Sequence, residues 1–248
     1  MKIEQSLDVV ERIGTGLAFI LFPLLFVFAF AVHPGLLNPH ELTDQEIILR
    51  AHDNSLLAVG HVLTIVDAAL VIVVTLHLMR LLDQTSVSWA RWVGFIGAVL
   101  TVISAVALAV EKGAEALTMT AVDTLPERQF SQAMPALVAI FSHQGWMWLV
   151  WGVVLMLPGL VIQGVATFST NVIPRWQSAM LVVGMLLMAA GGRDGFEIFG
   201  LAAFVIVSIG LVPYGVQLIT NSARTIENVR NGGAQAPRMI NRPSQLAS

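Results

Sequence analysis

The chain predicts an all-α fold, a polytopic transmembrane helical bundle of about six spans, on three observations. Hydrophobic residues fill 56% of its 248 positions and charged residues only 12%, with a mean hydropathy of +0.78. A soluble domain carries about twice that charged fraction, so bilayer has to cover surface that polar side chains do not. The apolar residues are gathered into six long runs divided by polar stretches. A helix rising about 1.5 Å per residue crosses the hydrocarbon core in about 20 residues, with every backbone group satisfied inside the segment.

The runs lie at about 14–33, 54–79, 91–111, 136–166, 176–191 and 196–218. The first is read as a retained span, because Glu4, Asp8 and Glu11 accompany Lys2 and Arg12 ahead of it and a secretory leader has a basic start. The fourth is long enough to tilt, and Pro158-Gly159 is placed to kink it. The fifth barely reaches the required length. Residues 1–220 are thus read as one transmembrane domain, and 221–248 as a polar tail with a short helix and a partly disordered end. Thr43-Asp44-Gln45-Glu46 has the pattern of a capping box opening a surface helix. The third loop, 112–135, is long enough to hold a second surface helix around 114–119.

Nine Lys and Arg fall in the N-terminus, second and fourth loops and tail, against four in the other loops. That excess places both termini in the cytoplasm. Spans two–three and four–five read as two parallel hairpins. Arg91-Trp92 and Arg175-Trp176 open the returning spans; His61 stands 30 residues before the first arginine and His143 stands 32 before the second. Glu111 and Glu197 follow them by 20 and 22 residues.

Ile173-Pro174-Arg175-Trp176, the turn Gly192-Arg193-Asp194-Gly195 and the Leu211-Val212-Pro213 end of the last span carry a family resemblance. On these motifs the chain resembles an uncharacterised family of small bacterial multi-span membrane proteins of unknown function. The resemblance implies a bacterial cytoplasmic (inner) membrane and assigns no activity to any residue.

Asp67 is the clearest polar group inside a span, about 20 Å from the outward end at helical rise. An ionisable group there costs about 2.5–3.5 kcal/mol on insertion scales and is a functional hypothesis by default. Gly60, Thr64, Val71 and Val74 share its helix face. The plain reading is a protonated acid hydrogen-bonded to a neighbouring span; the sharper one is a proton or cation relay. The outward loops and span ends hold ten acids, four Lys and Arg, and five of the six histidines. His61, His143, Glu111 and Glu197 compose a candidate site for zinc, iron or manganese, and His61 with His143 a candidate axial pair for haem b. A solvated acidic rim with hydrogen-bonded histidines explains the same residues without a cofactor.

Cysteine is absent, which removes disulfides, thiolate metal sites and cysteine nucleophiles. The chain has no glycine-rich phosphate loop and no Gly-x-Ser-x-Gly elbow, and Lys2 and Lys112 are its only lysines. Ser55, Ser104 and Ser142 read as packing or capping hydroxyls, and no catalytic residue is assigned. The net charge of −3 gives no nucleic-acid partner; the partners expected are lipid bilayer and other membrane subunits or a second copy. Three readings follow. The leading one is a structural or accessory subunit docking through small-residue faces such as Gly94, Gly97 and Ala98. The others are a metal- or haem-binding protein using His61 and His143, and a small proton-coupled transporter using Asp67.

Overall fold

The computed structural model describes residues 3–34, 36, 42–142, 152–191 and 196–232, with helical backbone alone for 3–6, 196 and 223–232. The described residues form helices α1 (Ile3–Ala31), α2 (Asp44–Ala51), α3 (Ser55–Asp83), α4 (Ser88–Val122), α5 (Glu127–Phe141), α6 (Met156–Thr170), α7 (Arg175–Ala190) and α8 (Phe196–Gly232). Five helical segments, Leu7–Ala31, Ser55–Asp83, Ser88–Val122, Gly152–Thr170 and Glu197–Ser222, are long and apolar enough to cross a membrane. The apolar helix Arg175–Ala190 is the sixth and shorter one.

Local chemistry sets the helix ends. Thr43 and Glu46 make the reciprocal capping box that the sequence predicts for α2. The Asn54 side chain caps α3 by accepting from the Leu57 amide at 3.2 Å. Asn171 closes α6 in the left-handed region at φ 56°, where an asparagine is tolerated, and Pro174 stands at the start of α7.

The six long or apolar helices close into a ring in the order α1, α3, α4, α6, α7, α8, with α8 packed back on α1 and α3 touching α6 across the middle. Phe22, Phe26 and Phe30 of α1 pack on Phe204 of α8, the Phe26 and Phe204 rings stacked 4.2 Å apart. Glycines let backbones approach at the crossings, as membrane helices require when no water drives their association. A β-carbon at Gly97 of α4 would lie 2.7 Å from the Gly159 carbonyl oxygen of α6, and one at Gly16 would lie 2.7 Å from that of Gly215. Large apolar side chains such as Val66, Ile103, Val110, Leu186 and Ile209 point outward and stay exposed, which suits a lipid-facing wall. Trp89, Trp92 and Trp176 are exposed at the starts of α4 and α7, the interfacial level where tryptophan collects.

Two stretches differ from the sequence reading. α4 does not end at Glu111 but runs on to Val122, eleven residues into the expected third loop. Residues 112–122 contain no proline, and their one glycine is tolerated within a run of helix formers. The beginning of the expected fourth span, from Ala136, belongs instead to α5, which packs on α2. Phe130 and Leu137 of α5 are buried with Ile48 of α2 and Val122 at the end of α4, a small satellite core over one end of the ring.

Candidate functional site

The ring has two polar ends, named here for His61 and Arg80 of α3. At the His61 end, α3 enters and α4 leaves side by side, and the extension of α4 brings Glu111, Lys112 and Glu115 against the start of α3. His61, Glu111 and Glu115 are all buried, at 8%, 7% and 5% exposure. The His61 Nε2 lies 3.6 Å from a Glu115 carboxylate oxygen. The Lys112 ammonium bridges both acids, 2.8 Å from Glu115 and 3.1 Å from Glu111. Burying such charges is tolerable only when they are paired this closely. By formal charge, two carboxylates stand against one ammonium, one negative charge in excess.

The remaining predicted residues fall around this cluster. Glu197, at the start of α8, pairs with His33 at the end of α1, 3.2 Å from its Nδ1. Gly60, next to His61, lies against Val32 and Ala29 at the end of α1, so both pairs belong to one polar end. His143 lies outside the described residues, and so does its expected approach to His61. Glu115 and Lys112 were not singled out in the sequence. Continuing α4 past Glu111 would have found them, since Lys112 and Glu115 are three apart and share a helix face.

Asp67 lies six residues along α3 from His61, about 9 Å deeper at helical rise. It is 0% exposed, and neither of its carboxyl oxygens has a hydrogen-bond partner among the described residues. Gly60, Thr64, Val71 and Val74 on its face are buried as well. The Thr64 hydroxyl donates to the Gly60 carbonyl of its own helix at 2.8 Å. The hydrogen bond to a neighbouring span, central to the plain reading of Asp67, is therefore not present among these residues. Further along α3, the Thr75 hydroxyl donates to the Gln163 side-chain oxygen, and the Gln163 amide donates to the Thr75 and Gly94 carbonyls at 3.0 and 3.2 Å. At the Arg80 end, His77 shares a hydrogen bond with the Tyr214 hydroxyl at 3.0 Å, and Arg80 is salt-bridged to Glu11 of α1.

Among the described residues, metal donors come close enough to share an ion in one place, and it is not the His61 cluster. His61, Glu111 and Glu115 offer nitrogen and oxygen ligands, but the Lys112 ammonium already stands between the acids. His52, Asp53 and Asp123 place three ligand atoms within 4.8 Å of one another at the surface of the α2–α4 cap. There His52 Nδ1 is 2.7 Å from Asp123 and its ring stacks on Phe130 at 4.0 Å. A hydrogen bond tying the α2–α3 corner to the end of α4 accounts for that contact.

The model of a domain of unknown function, DUF4386, matches residues 15–220 of the chain, from the first half of α1 to the last turns of the apolar part of α8. Neither a curated protein nor a solved structure matches it.

Proposed function

The chain belongs to the DUF4386 family, and because that family assigns no activity we propose, from this chain's own residues, a proton-linked membrane transporter whose proton-binding group is Asp67. The observation that carries this reading is a fully buried carboxyl group near the middle of α3 with no hydrogen-bond partner among the described residues. A group held only for packing costs less as an apolar residue, so an unpartnered acid at this depth points to a use. The cluster of His61, Glu111, Lys112 and Glu115 supplies the other half. Its leftover negative charge attracts cations from one aqueous side, and its imidazole and carboxylates can pass a proton toward Asp67. Carriage across the bundle then follows from loading Asp67 on one side and unloading it on the other.

The two competing readings find less support. Gly94 and Gly97, offered as a docking face for another subunit, lie against Leu82 of α3 and against Gly159 and Gln163 of α6 within the chain itself. Ala98 is 2% exposed. For zinc, iron or haem b at His61, Lys112 would have to leave the two acids it neutralises.

A pH jump applied to proteoliposomes on a solid-supported membrane reads proton binding and carriage as a transient current, without knowledge of the coupled solute. Wild-type protein should give a current above that of empty liposomes, and Asp67→Asn should lower it by about tenfold or more, the loss expected when the loaded group is removed. Equal currents from the two proteins, or none from the wild type, overturn the reading.

A further inference from the structure

We propose that the cleft between α1 and α3 at the Arg80 end is the second aqueous mouth of the proton route, with His77 as the group that exchanges the proton with water there. This rests on the transporter reading above and supplies the side on which Asp67 is unloaded. The cleft has a volume of about 290 Å³, and its walls include Asp8, Glu11, Arg12, Thr15, His77 and Arg80. It is the charged counterpart, at the other end of the ring, of the His61 cluster.

Three features single out His77 within it. Its ring is fixed from two sides, by the 3.0 Å hydrogen bond to Tyr214 of α8 and by the edge-on Phe19 ring of α1 at 5.5 Å. It is half-buried and lines the cleft, so one side of the ring meets the protein interior and another meets solvent. And it stands on the same helix as Asp67, ten residues on, with His61 six residues to the other side. Asp67 is thus flanked along α3 by one histidine at each polar end.

Between Asp67 and His77 the buried positions are Ala68, at 3% exposure, and Val71, Val74 and Thr75, each 0% exposed like Leu78 just beyond. About 15 Å of helix separates the two groups, and the Thr75 hydroxyl is committed to Gln163. Asp67 and His77 are therefore filled and emptied in different conformations of the ring, as alternating access requires. In the exchange step the imidazole takes up a proton coming from the Asp67 side, and the imidazolium returns to imidazole by giving it to cleft water as hydronium. The charged groups facing His77 are Glu11, Asp8 and Arg12 from α1 and Arg80 from its own helix, with Tyr214 from α8. Arg80 and Glu11 join α3 to α1 beside the cleft.

The chain has no cysteine, so a single introduced thiol reports on the cleft without background. In the full-length protein in vesicles, Thr15→Cys on the cleft wall should react with a charged, water-soluble methanethiosulfonate at least about tenfold faster than Val71→Cys in the dry stretch, the contrast expected between a water-lined and a lipid-depth position. Equal rates overturn the aqueous mouth. Coupling a bulky maleimide to Thr15→Cys then blocks the cleft in protein that is already folded, and His77→Gln removes the exchanging group. Each should lower the pH-jump current by about tenfold or more, as removal of a proton-transfer group does. If the current survives both changes while Asp67→Asn abolishes it, this inference fails and the transporter reading stands. If Asp67→Asn also leaves the current intact, the transporter reading itself has failed.

Discussion

Gln163 shows at the scale of one residue how a polar side chain earns its place inside this bundle. Its amide and carbonyl join α6 to α3 and α4 at once, through Thr75 and the Gly94 carbonyl. Each such bond in a membrane contributes about 0.6 kcal/mol on average, with a maximum near 1.7 kcal/mol. Gln163→Leu keeps most of the volume and removes all the bonds at once, so it should destabilise the fold by about 1–2 kcal/mol in a reversible detergent-unfolding titration. Gln163→Ala should cost more, because it adds a cavity against Gly97. A destabilisation by Gln163→Leu of under about 0.3 kcal/mol would show the network to be energetically idle. Nothing in the sequence marked this glutamine, since a neutral amide within an apolar run looks like any other tolerated polar residue. Asp67 was legible because a charge in a span is costly wherever it points. Glu115 and Lys112 were not, because the polar residues after Glu111 read as the start of a loop, and only the unbroken α4 turns them inward.

Among the elements, the long spans were the most legible and the surface helices less so. Hydropathy locates α3 and α4, yet Ala136–Phe141 is apolar enough to merge with the next run when amphipathic and spanning character are judged by composition alone. Only the packing of α5 on α2 separates them. α2, by contrast, was written in its cap. Glu46 accepts the Thr43 backbone N–H and hydroxyl, both at 2.8 Å, and these bonds hold its carboxyl below the ordinary glutamate range. A lowered folded value stabilises the helix at pH above the unfolded glutamate's titration, and that contribution is lost as pH falls through the folded value. Amide exchange in α2, corrected for the intrinsic rate, should therefore speed up as pH drops through and below the usual carboxylate range. Glu46→Gln keeps a capping-box residue that does not titrate, and its exchange should be flat over the same interval. An equal acceleration in both proteins would assign the fraying to another acid.

For the whole molecule the question is which way the ring faces, and α7 decides how many crossings there are. At 16 residues it spans about 24 Å, short of the roughly 30 Å hydrocarbon core. Its ends nonetheless lie at opposite ends of the ring. Its start follows the Asn171 cap of α6 at the Arg80 end, and its finish is seven residues before Glu197, which pairs with His33 at the His61 end. α7 therefore crosses with its neighbours, the bilayer thinning or its flanks adjusting to a modest mismatch. Six crossings put the start of α1 and the end of α8 on the same side. From the excess of Lys and Arg in the sequence segments that flank that end, with Trp89, Trp92 and Trp176 exposed beside it, we propose that the Arg80 end is the cytoplasmic one. Single thiols in the cysteine-free chain test this directly. Ser86→Cys and Asn171→Cys, exposed in the α3–α4 and α6–α7 turns, should be shielded from an impermeant maleimide in intact cells and labelled once the membrane is opened. Thr124→Cys, exposed in the α4–α5 turn, should be labelled from outside. The reverse pattern would invert the molecule, turning the His77 cleft outward and the acidic cluster toward the cytoplasm. A split between Ser86→Cys and Asn171→Cys would show that the helices between those two turns do not make an even number of crossings.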